Sequence, residues 1–264
     1  MKQHQAHTIQ ELASRREPWV IAHRGCSGRF PENTLEAFRA AVEEGADLIE
    51  LDVSLSLDRV PVVIHDDTLD RTTSGSGKVS DHSLAELRQL DAGSWFASEF
   101  SEARIPTLEE VFVECGGQIV INVELKPEGF EEQDVPDAVE RQVLQLVERY
   151  TLQKSVILSS FEHRFFPRIR QSHSLLPIAL LFENLPEAQA VIAQCEEWQA
   201  QAVNPRADTL HPEWISTLRA AGLDVLPWTV DDPEAMRTLL GWGVRGLFTN
   251  FPERLQPLVS HAAA

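Results

Sequence analysis

The sequence predicts an α/β protein folded as an eight-fold β/α (TIM) barrel. Eight short apolar runs alternate with helical patterns, and they begin near residues 19, 48, 119, 156, 178, 201, 224 and 246. A chain of 264 residues that is 43% hydrophobic has the usual size and core content of one such barrel. Polar residues collect where the runs end, and barrel enzymes keep their active sites at the carboxyl ends of the strands.

The first apolar run, residues 19–22, predicts strand one, with His23 at its carboxyl end before a glycine-containing loop. Asn33 or Thr34 is the expected N-cap of the following helix, which Gly45 ends. A histidine taken alone is more often a hydrogen-bonded structural residue than a catalyst. Its place at a strand end favours a functional role without settling it.

The second strand carries the most informative pattern. Glu50 and Asp52 share one face of it, while apolar residues occupy the other face. Two carboxylates this close repel each other unless a cation lies between them, although a single such pair is more often the solvated face of an edge strand. A turn at residues 58–59 and a returning strand at 60–64 bring His65 back towards the carboxylates.

Residues 66–106 interrupt the alternation and predict an inserted segment over one end of the barrel. Only a short helix near residues 84–90 is indicated within it. Long loops in compact domains are often lids or binding loops. A packed subdomain without a catalytic role is an equally good interpretation.

The strand at residues 119–126 again places polar side chains on one face, with Glu124 and Lys126 at its carboxyl end. A simple salt bridge between these two residues is the alternative to a functional pair. The later strands are weaker in chemistry, and their carboxyl ends carry Phe161, Asn204, Trp228 and Asn250.

Composition excludes some partners. The formal charge is −18, from 41 acidic and 23 basic residues, which argues against a nucleic-acid or anionic-membrane surface as the main partner. The three cysteines (26, 115 and 195) match no zinc motif or disulfide framework and suit a reducing compartment. We expect a cytoplasmic protein with no membrane anchor, in which residues 1–18 are a polar N-terminal extension and residues 19–264 one domain.

These side chains together indicate a reaction class. Glu50, Asp52 and Glu124 offer oxygen ligands without cysteine, which suits Mg²⁺ or Ca²⁺ better than zinc. Arg24 and Lys126 at the same rim would hold a phosphoryl group, and the two histidines are candidates for general acid and base. This chemistry predicts a metal-assisted phosphodiester or phosphomonoester hydrolase and does not choose between them.

At this point the chain resembles the glycerophosphodiester phosphodiesterase family. The motifs that carry the resemblance follow the family's order from residue 19 to residue 252: AHRG at 22–25, PENT at 31–34, ELDV at 50–53, PVVIHD at 61–66, LDRTT at 69–73, IPTL at 105–108, ELK at 124–126 and WTV at 228–230. The family has a β/α barrel with a segment inserted after the second-strand hairpin. The resemblance implies hydrolysis of small diesters such as glycerophosphocholine and glycerophosphoethanolamine to glycerol 3-phosphate and an alcohol.

The resemblance also implies roles for individual residues. His23 would be the base and His65 the acid, and the three carboxylates would hold the divalent metal. Arg24 and Lys126 would bind phosphate, and Trp228 would line the substrate pocket. One departure is visible at residues 249–252, where TNFP stands in place of the TDYP common in the family, and we expect it to affect only pocket detail.

Two rival functions stay open at this stage. A related barrel could act on lysophospholipids at a membrane, although the acidic composition disfavours it. A barrel could also bind phosphodiesters without turning them over, but a binder has no need of an acid–base pair. The aromatic residues Trp95, Phe96, Phe161, Trp228 and Phe251 are candidates for an apolar wall, with Trp95 and Phe96 better interpreted as packing.

Overall fold

The structure of the protein is a computed structural model, and it describes residues 8–172 and 175–261. Its strands are β1 (Trp19–Ala22), β2 (Leu48–Leu55), β3 (Pro61–Val63), β4 (Val120–Leu125), β5 (Val156–Ser160), β6 (Ile178–Phe182), β7 (Ala202–Pro205), β8 (Asp224–Val225) and β9 (Gly246–Thr249). Its helices are α1 (Ile9–Ser14), α2 (Leu35–Glu44), α3 (Leu84–Leu87), α4 (Leu108–Cys115), α5 (Val139–Arg149), α6 (Phe165–Ser172), α7 (Ala188–Trp198), α8 (Pro212–Ala220), α9 (Pro233–Gly241) and α10 (Pro252–His261).

Eight parallel strands form the predicted barrel in the order β8-β7-β6-β5-β4-β2-β1-β9, and β3 pairs antiparallel with β2. The two ends of this order meet through backbone hydrogen bonds, which include Arg245 N–H to Val225 O at 2.9 Å and Phe248 N–H to Pro227 O at 3.0 Å. The predicted strand at 224–228 is shorter than expected, because Pro227 has no N–H to continue the ladder.

Alternation along each strand divides the core into two layers. Residues that point inward, such as Ile21, Leu48 and Val120, fill the barrel, and their neighbours in sequence pack against the helices. Helix ends follow local sequence: Thr34 caps α2 by accepting the Ala37 N–H, and Gly45 ends that helix in the left-handed region at φ 77°. The register that results brings the carboxyl ends of all eight barrel strands to one rim.

The amino-terminal end of the barrel is closed by α1. Leu12 is fully buried among the inward-facing residues of the strands. The Trp19 indole N–H donates to the Leu12 carbonyl at 3.3 Å, and Arg245 donates to the last carbonyls of the helix. Within the predicted N-terminal extension, residues 9–14 are helical, and residues 1–7 lie outside the described part of the chain.

The inserted segment forms no named strand and has its own small core. Leu69, Val79, Leu87, Ala92 and Ile105 pack there with residues of the β3 region. In the described ranges 8–172 and 175–261, no helix is both long enough and apolar enough to cross a membrane. The three cysteines, all buried, are free thiols.

Candidate active site

Three buried carboxylates meet at the carboxyl rim of the barrel. Glu50 and Asp52 point inward from β2, and Glu124 points inward from β4, where it is the direct register partner of Asp52. One oxygen from each of the three lies within 4.8 Å of the others. All three residues are at most 7% exposed. The period-two alternation of the strands is what places them on one interior face.

The charge of this cluster is poorly balanced without a cation. Burial raises the pKa of Glu50 well above its usual range, and the charges of Asp52 and Glu124 raise it further. Burial and the charge of Asp52 raise the pKa of Glu124 to about 7. Burial acts in the same direction on Asp52, but Arg24 and Lys126 outweigh it and hold its pKa well below the usual range. Three oxygen donors that repel one another fit a hard divalent cation.

Two basic residues lie against the carboxylates. The Lys126 ammonium is 3.0 Å from Glu124 Oε1 and 3.4 Å from Asp52 Oδ1. Arg24 donates its backbone N–H to Glu50 Oε2 at 3.0 Å, and its Nε lies 3.3 Å from Asp52 Oδ2, an ion-pair separation without hydrogen-bond alignment. Both cations therefore balance part of the negative charge of the three carboxylates.

The two histidines beside this centre are both held through the Nδ1 atom of the ring. His23 directly follows β1, and its Nδ1 is 2.8 Å from Asn250 Oδ1. His65 follows β3, and its Nδ1 is 2.6 Å from Asp66 Oδ1. Nδ1 is therefore engaged in both rings, and Nε2 of His23 lies 4.0 Å from Glu50 Oε2. Burial first, and the charge of Arg24 second, lower the pKa of His23 to about 4, so its imidazole is neutral at neutral pH.

A cavity of about 530 Å³ connects these groups. The two histidines, Arg24, Lys126 and two of the three carboxylates line one part of it, and the rings of Phe161 and Trp228 meet edge to face, 5.4 Å apart, in another part. The Trp228 indole N–H donates to the Asn204 carbonyl at 2.9 Å, which fixes the ring over the barrel. A larger cavity of about 700 Å³, which Trp228 also lines, holds none of the predicted catalytic histidines or carboxylates, so size alone does not locate the chemistry.

The structure brings all of the predicted site residues to this cavity or its carboxylate cluster: His23, Arg24, Glu50, Asp52, His65, Glu124, Lys126 and Trp228. In the inserted segment Trp95 instead packs edge to face on Phe96, and Phe96 on Phe100, as the packing interpretation predicted. Phe251 is also absent from the lining of the cavity; its ring lies under Arg254.

Several supporting residues were missed. Asn33, an expected N-cap, instead adopts the left-handed region at φ 59° and donates to Asp52 Oδ2 at 2.8 Å. Asn250 was expected to affect only pocket detail, but its side-chain oxygen faces His23, and that expectation is corrected here. The side-chain N–H of Asn250 donates to Asp231 at 2.7 Å. Two features of the sequence pointed to these residues: the TNFP motif at residues 249–252, which departs from the family's TDYP, and the asparagine of the PENT motif. Neither feature predicted a chemical role.

The fold and site define a β/α-barrel hydrolase of phosphate esters. The family model described as glycerophosphoryl diester phosphodiesterase matches residues 23–254. A glycerophosphodiester phosphodiesterase of Caldanaerobacter subterraneus is 40% identical over 91% of this chain and 97% of its own length. Another from Bacillus subtilis is 36% identical over 89% of this chain and 84% of its own.

The solved structures agree with the sequence relatives. An Oleispira antarctica phosphodiesterase in complex with the product sn-glycerol-3-phosphate superimposes with a TM-score of 0.85 at 32% identity, over 92% of this chain and 97% of that chain. The chain belongs to the glycerophosphoryl diester phosphodiesterase family, and it is a phosphoric diester hydrolase.

Proposed function

We propose that this enzyme uses a divalent metal to hydrolyse glycerophosphodiesters, such as glycerophosphocholine and glycerophosphoethanolamine, to glycerol 3-phosphate and an alcohol. The observation that carries the proposal is the cluster of three buried carboxylates, two of which line one cavity with two histidines that are each held at Nδ1. The product complex of the Oleispira antarctica relative supports glycerol 3-phosphate as a product.

Glu50, Asp52 and Glu124 would hold the metal, which we propose to be Mg²⁺ or Ca²⁺ because the donors are all oxygens. When bound, such a cation supplies positive charge to phosphoryl oxygens and lowers the energy of the charged transition state. Asn33 keeps Asp52 oriented through its 2.8 Å hydrogen bond.

Arg24 and Lys126 bind the phosphate in this proposal. Their cationic groups already lie within 3.4 Å of the carboxylates, so a phosphoryl group beside the metal would contact both. Trp228 and Phe161 form the wall that would contact the organic part of the diester. The aromatic rings would shield that side of the bound substrate from water.

His23 acts as general base and His65 as general acid. The neutral imidazole of buried His23 can accept a proton at Nε2 while Nδ1–H donates to Asn250. His65 donates a proton from Nε2 to the leaving alcohol, with Nδ1 held by the Asp66 carboxylate. The two rings follow different strands and line one cavity, as an acid–base pair that acts on one phosphate ester requires.

Two nucleophiles suit this geometry: a water molecule, or a neighbouring hydroxyl of the substrate glycerol that forms a cyclic phosphate. Solvent ¹⁸O labelling combined with trapping of the cyclic ester separates them. Direct attack by water gives labelled glycerol 3-phosphate with no trapped cyclic ester. The cyclic route gives an ester that accumulates when its opening is slowed.

Release of glycerol 3-phosphate from glycerophosphocholine tests the proposed function. We expect EDTA to abolish the release and Mg²⁺ or Ca²⁺ to restore it. Glu124→Gln should weaken metal-restored activity by about 10- to 100-fold. Glu43→Gln, an exposed acid near the end of α2, is the charge-matched control and should behave as wild type. A folded, metal-loaded enzyme that releases no product, or that acts on micellar lysolipids alone, contradicts the proposal.

Location and domain organisation are proposals as well. We propose a cytoplasmic enzyme, supported by the three buried free thiols. Residues 19–264 are proposed as one catalytic domain with an insertion at about 66–106, and residues 1–18 as an extension whose helix closes the barrel. Fractionation of cells that express the tagged protein, with thiol labelling after denaturation, tests the first statement.

A further inference from the structure

A network of ion pairs spans the rim between the inserted segment and the site. We call its members Glu32, Asp66 and Arg71 the rim network. The Arg71 guanidinium donates from Nη1 and Nη2 to the two oxygens of Glu32, both at 2.8 Å. It also donates from Nε and Nη2 to the two oxygens of Asp66 at 2.7 and 2.9 Å. One side chain therefore clamps two carboxylates, each in bidentate geometry.

Each clamped carboxylate holds a residue of the proposed site. Asp66 Oδ1 is 2.6 Å from His65 Nδ1. Glu32 Oε1 accepts Arg24 Nη1 at 2.8 Å, and Arg24 Nε in turn lies 3.3 Å from Asp52 Oδ2. The chain of contacts is continuous from the histidine to the carboxylate cluster, and Arg71 is its centre.

The charges of the network keep it assembled. Hydrogen bonds from Arg71 hold the pKa of Asp66 well below its usual range, although burial opposes the shift. Burial alone raises the pKa of Glu32, but the hydrogen bonds of Arg71 and the charge of Arg24 outweigh it and leave that pKa lowered. Both carboxylates are thus ionised acceptors throughout the neutral pH range.

We propose that Arg71 is a positioning residue for diester hydrolysis, and that it orients His65 through Asp66 and Arg24 through Glu32. The proposal rests on the proposed function, because it assumes that His65 protonates the leaving alcohol and Arg24 binds phosphate. It gives the inserted segment a catalytic contribution that its own small core does not supply. A geometric error of about 1 Å at a reacting group can cost about 100-fold in rate.

The alternative is an ordinary ion pair at the surface, since the Arg71 side chain is 44% exposed. Arg88 provides a matched control for that alternative. It lies in the same inserted segment, its side chain is 43% exposed, and it donates to Glu110 at 2.7 Å. Glu110 contacts no residue of the proposed site in its hydrogen bonds, which go to Thr107 and Arg88.

The test compares Arg71→Gln, Arg71→Lys and Arg88→Gln in the full-length, metal-loaded enzyme acting on glycerophosphocholine. We expect Arg71→Gln to lower kcat by about 10- to 100-fold, Arg71→Lys to recover part of the loss, and Arg88→Gln to stay within about twofold of wild type. Thermal melting of each variant monitors folding, and the charge-conserving Arg71→Lys serves if Arg71→Gln does not fold.

A second readout separates positioning from simple stability. If Arg71 acts through His65, the loss in Arg71→Gln shrinks on a nitrophenyl diester, whose leaving group needs no proton; if it acts through Arg24, KM rises on both substrates. Folded variants with kcat and KM like those of Arg88→Gln would overturn the inference. A wild-type enzyme inactive on all glycerophosphodiesters would instead overturn the proposed function.

Discussion

The two histidines of the site are held in opposite ways. The His23 side chain is 14% exposed and faces the neutral amide of Asn250, whereas the His65 side chain is 32% exposed and faces the carboxylate of Asp66. An amide accepts the Nδ1–H of a neutral ring without adding charge. This difference supports our proposal that His23 accepts a proton and His65 donates one.

The two histidines also differ in the part of the fold that supports them. His23 is supported from within the barrel, because Asn250 and its partner Asp231 follow β9 and β8. His65 is supported from outside the barrel, by an arginine of the inserted segment. The support of His23 is therefore part of the barrel itself, and the support of His65 depends on the inserted segment.

Removal of either ring gives the largest expected effect. We expect His23→Ala and His65→Ala each to lower kcat on glycerophosphocholine by about 10²- to 10⁴-fold with the fold intact, since each takes one proton transfer away. His82→Ala, a histidine of the inserted segment bonded to the Lys78 carbonyl, is the control. Near wild-type turnover in either active-site variant would show that its ring does not transfer a proton in the reaction.

Asp66→Asn should have the next largest effect. The amide keeps the shape of the side chain but loses the negative charge beside His65 Nδ1 and the bidentate pair with Arg71. We expect kcat to fall by about 10- to 100-fold while metal affinity is retained. Asn250→Ala, which removes the Nδ1 partner of His23, serves as the comparison. If the loss of kcat shrank equally for both variants on a nitrophenyl diester, the proposed difference between His65 and His23 would be contradicted.

Asn250→Asp should give His23 a carboxylate partner like the one that His65 has in Asp66. A carboxylate 2.8 Å from His23 Nδ1 favours the charged imidazole, so the lowered pKa of His23 rises from about 4. A base with a higher pKa is protonated at higher pH, and the acidic limb of the kcat/KM profile should move up by about one pH unit. An unchanged acidic limb would exclude His23 as the group that titrates there.

Acid sensitivity of stability is the smallest expected difference. The unfolded chain binds a proton at His23 near pH 6.5 and the folded chain only near pH 4, so folding loses stability as pH falls through this window. His23→Gln should reduce the loss between pH 7 and 5 by about 1–2 kcal/mol. Asp66, whose folded pKa is lowered, contributes stability above its unfolded pKa of 3.8 and loses it only at lower pH. Melting temperatures of His23→Gln and Asp66→Asn across pH 3–7 measure the loss at His23 and the onset of the loss at Asp66.

The barrel was largely predictable from the sequence because each strand is short, apolar and followed by a helical stripe. The strand starts agree to within about one residue, and inward-facing Glu50, Asp52 and Glu124 follow from period-two alternation. Strand β8 is shorter than predicted because Pro227 cannot donate.

The supporting contacts were not predictable in the same way. Arg71 and Glu32 are 39 residues apart, and Asn250 and His23 are 227 residues apart. Local patterns carry no information about which distant side chains meet. Arg71 belongs to the LDRTT motif and Asn250 to the TNFP motif. Their roles become visible only from their positions near the histidines in three dimensions.

The division of roles between the two histidines is tested most directly with one pair of substrates. Rates of His23→Ala and His65→Ala are measured on glycerophosphocholine and on the p-nitrophenyl ester of glycerol phosphate, whose leaving group departs without a proton. We expect His65→Ala to recover to within about tenfold of wild type on the nitrophenyl ester, while His23→Ala keeps its full loss. Recovery by His23→Ala instead, or by neither variant, would contradict the assignment of His23 as base and His65 as acid.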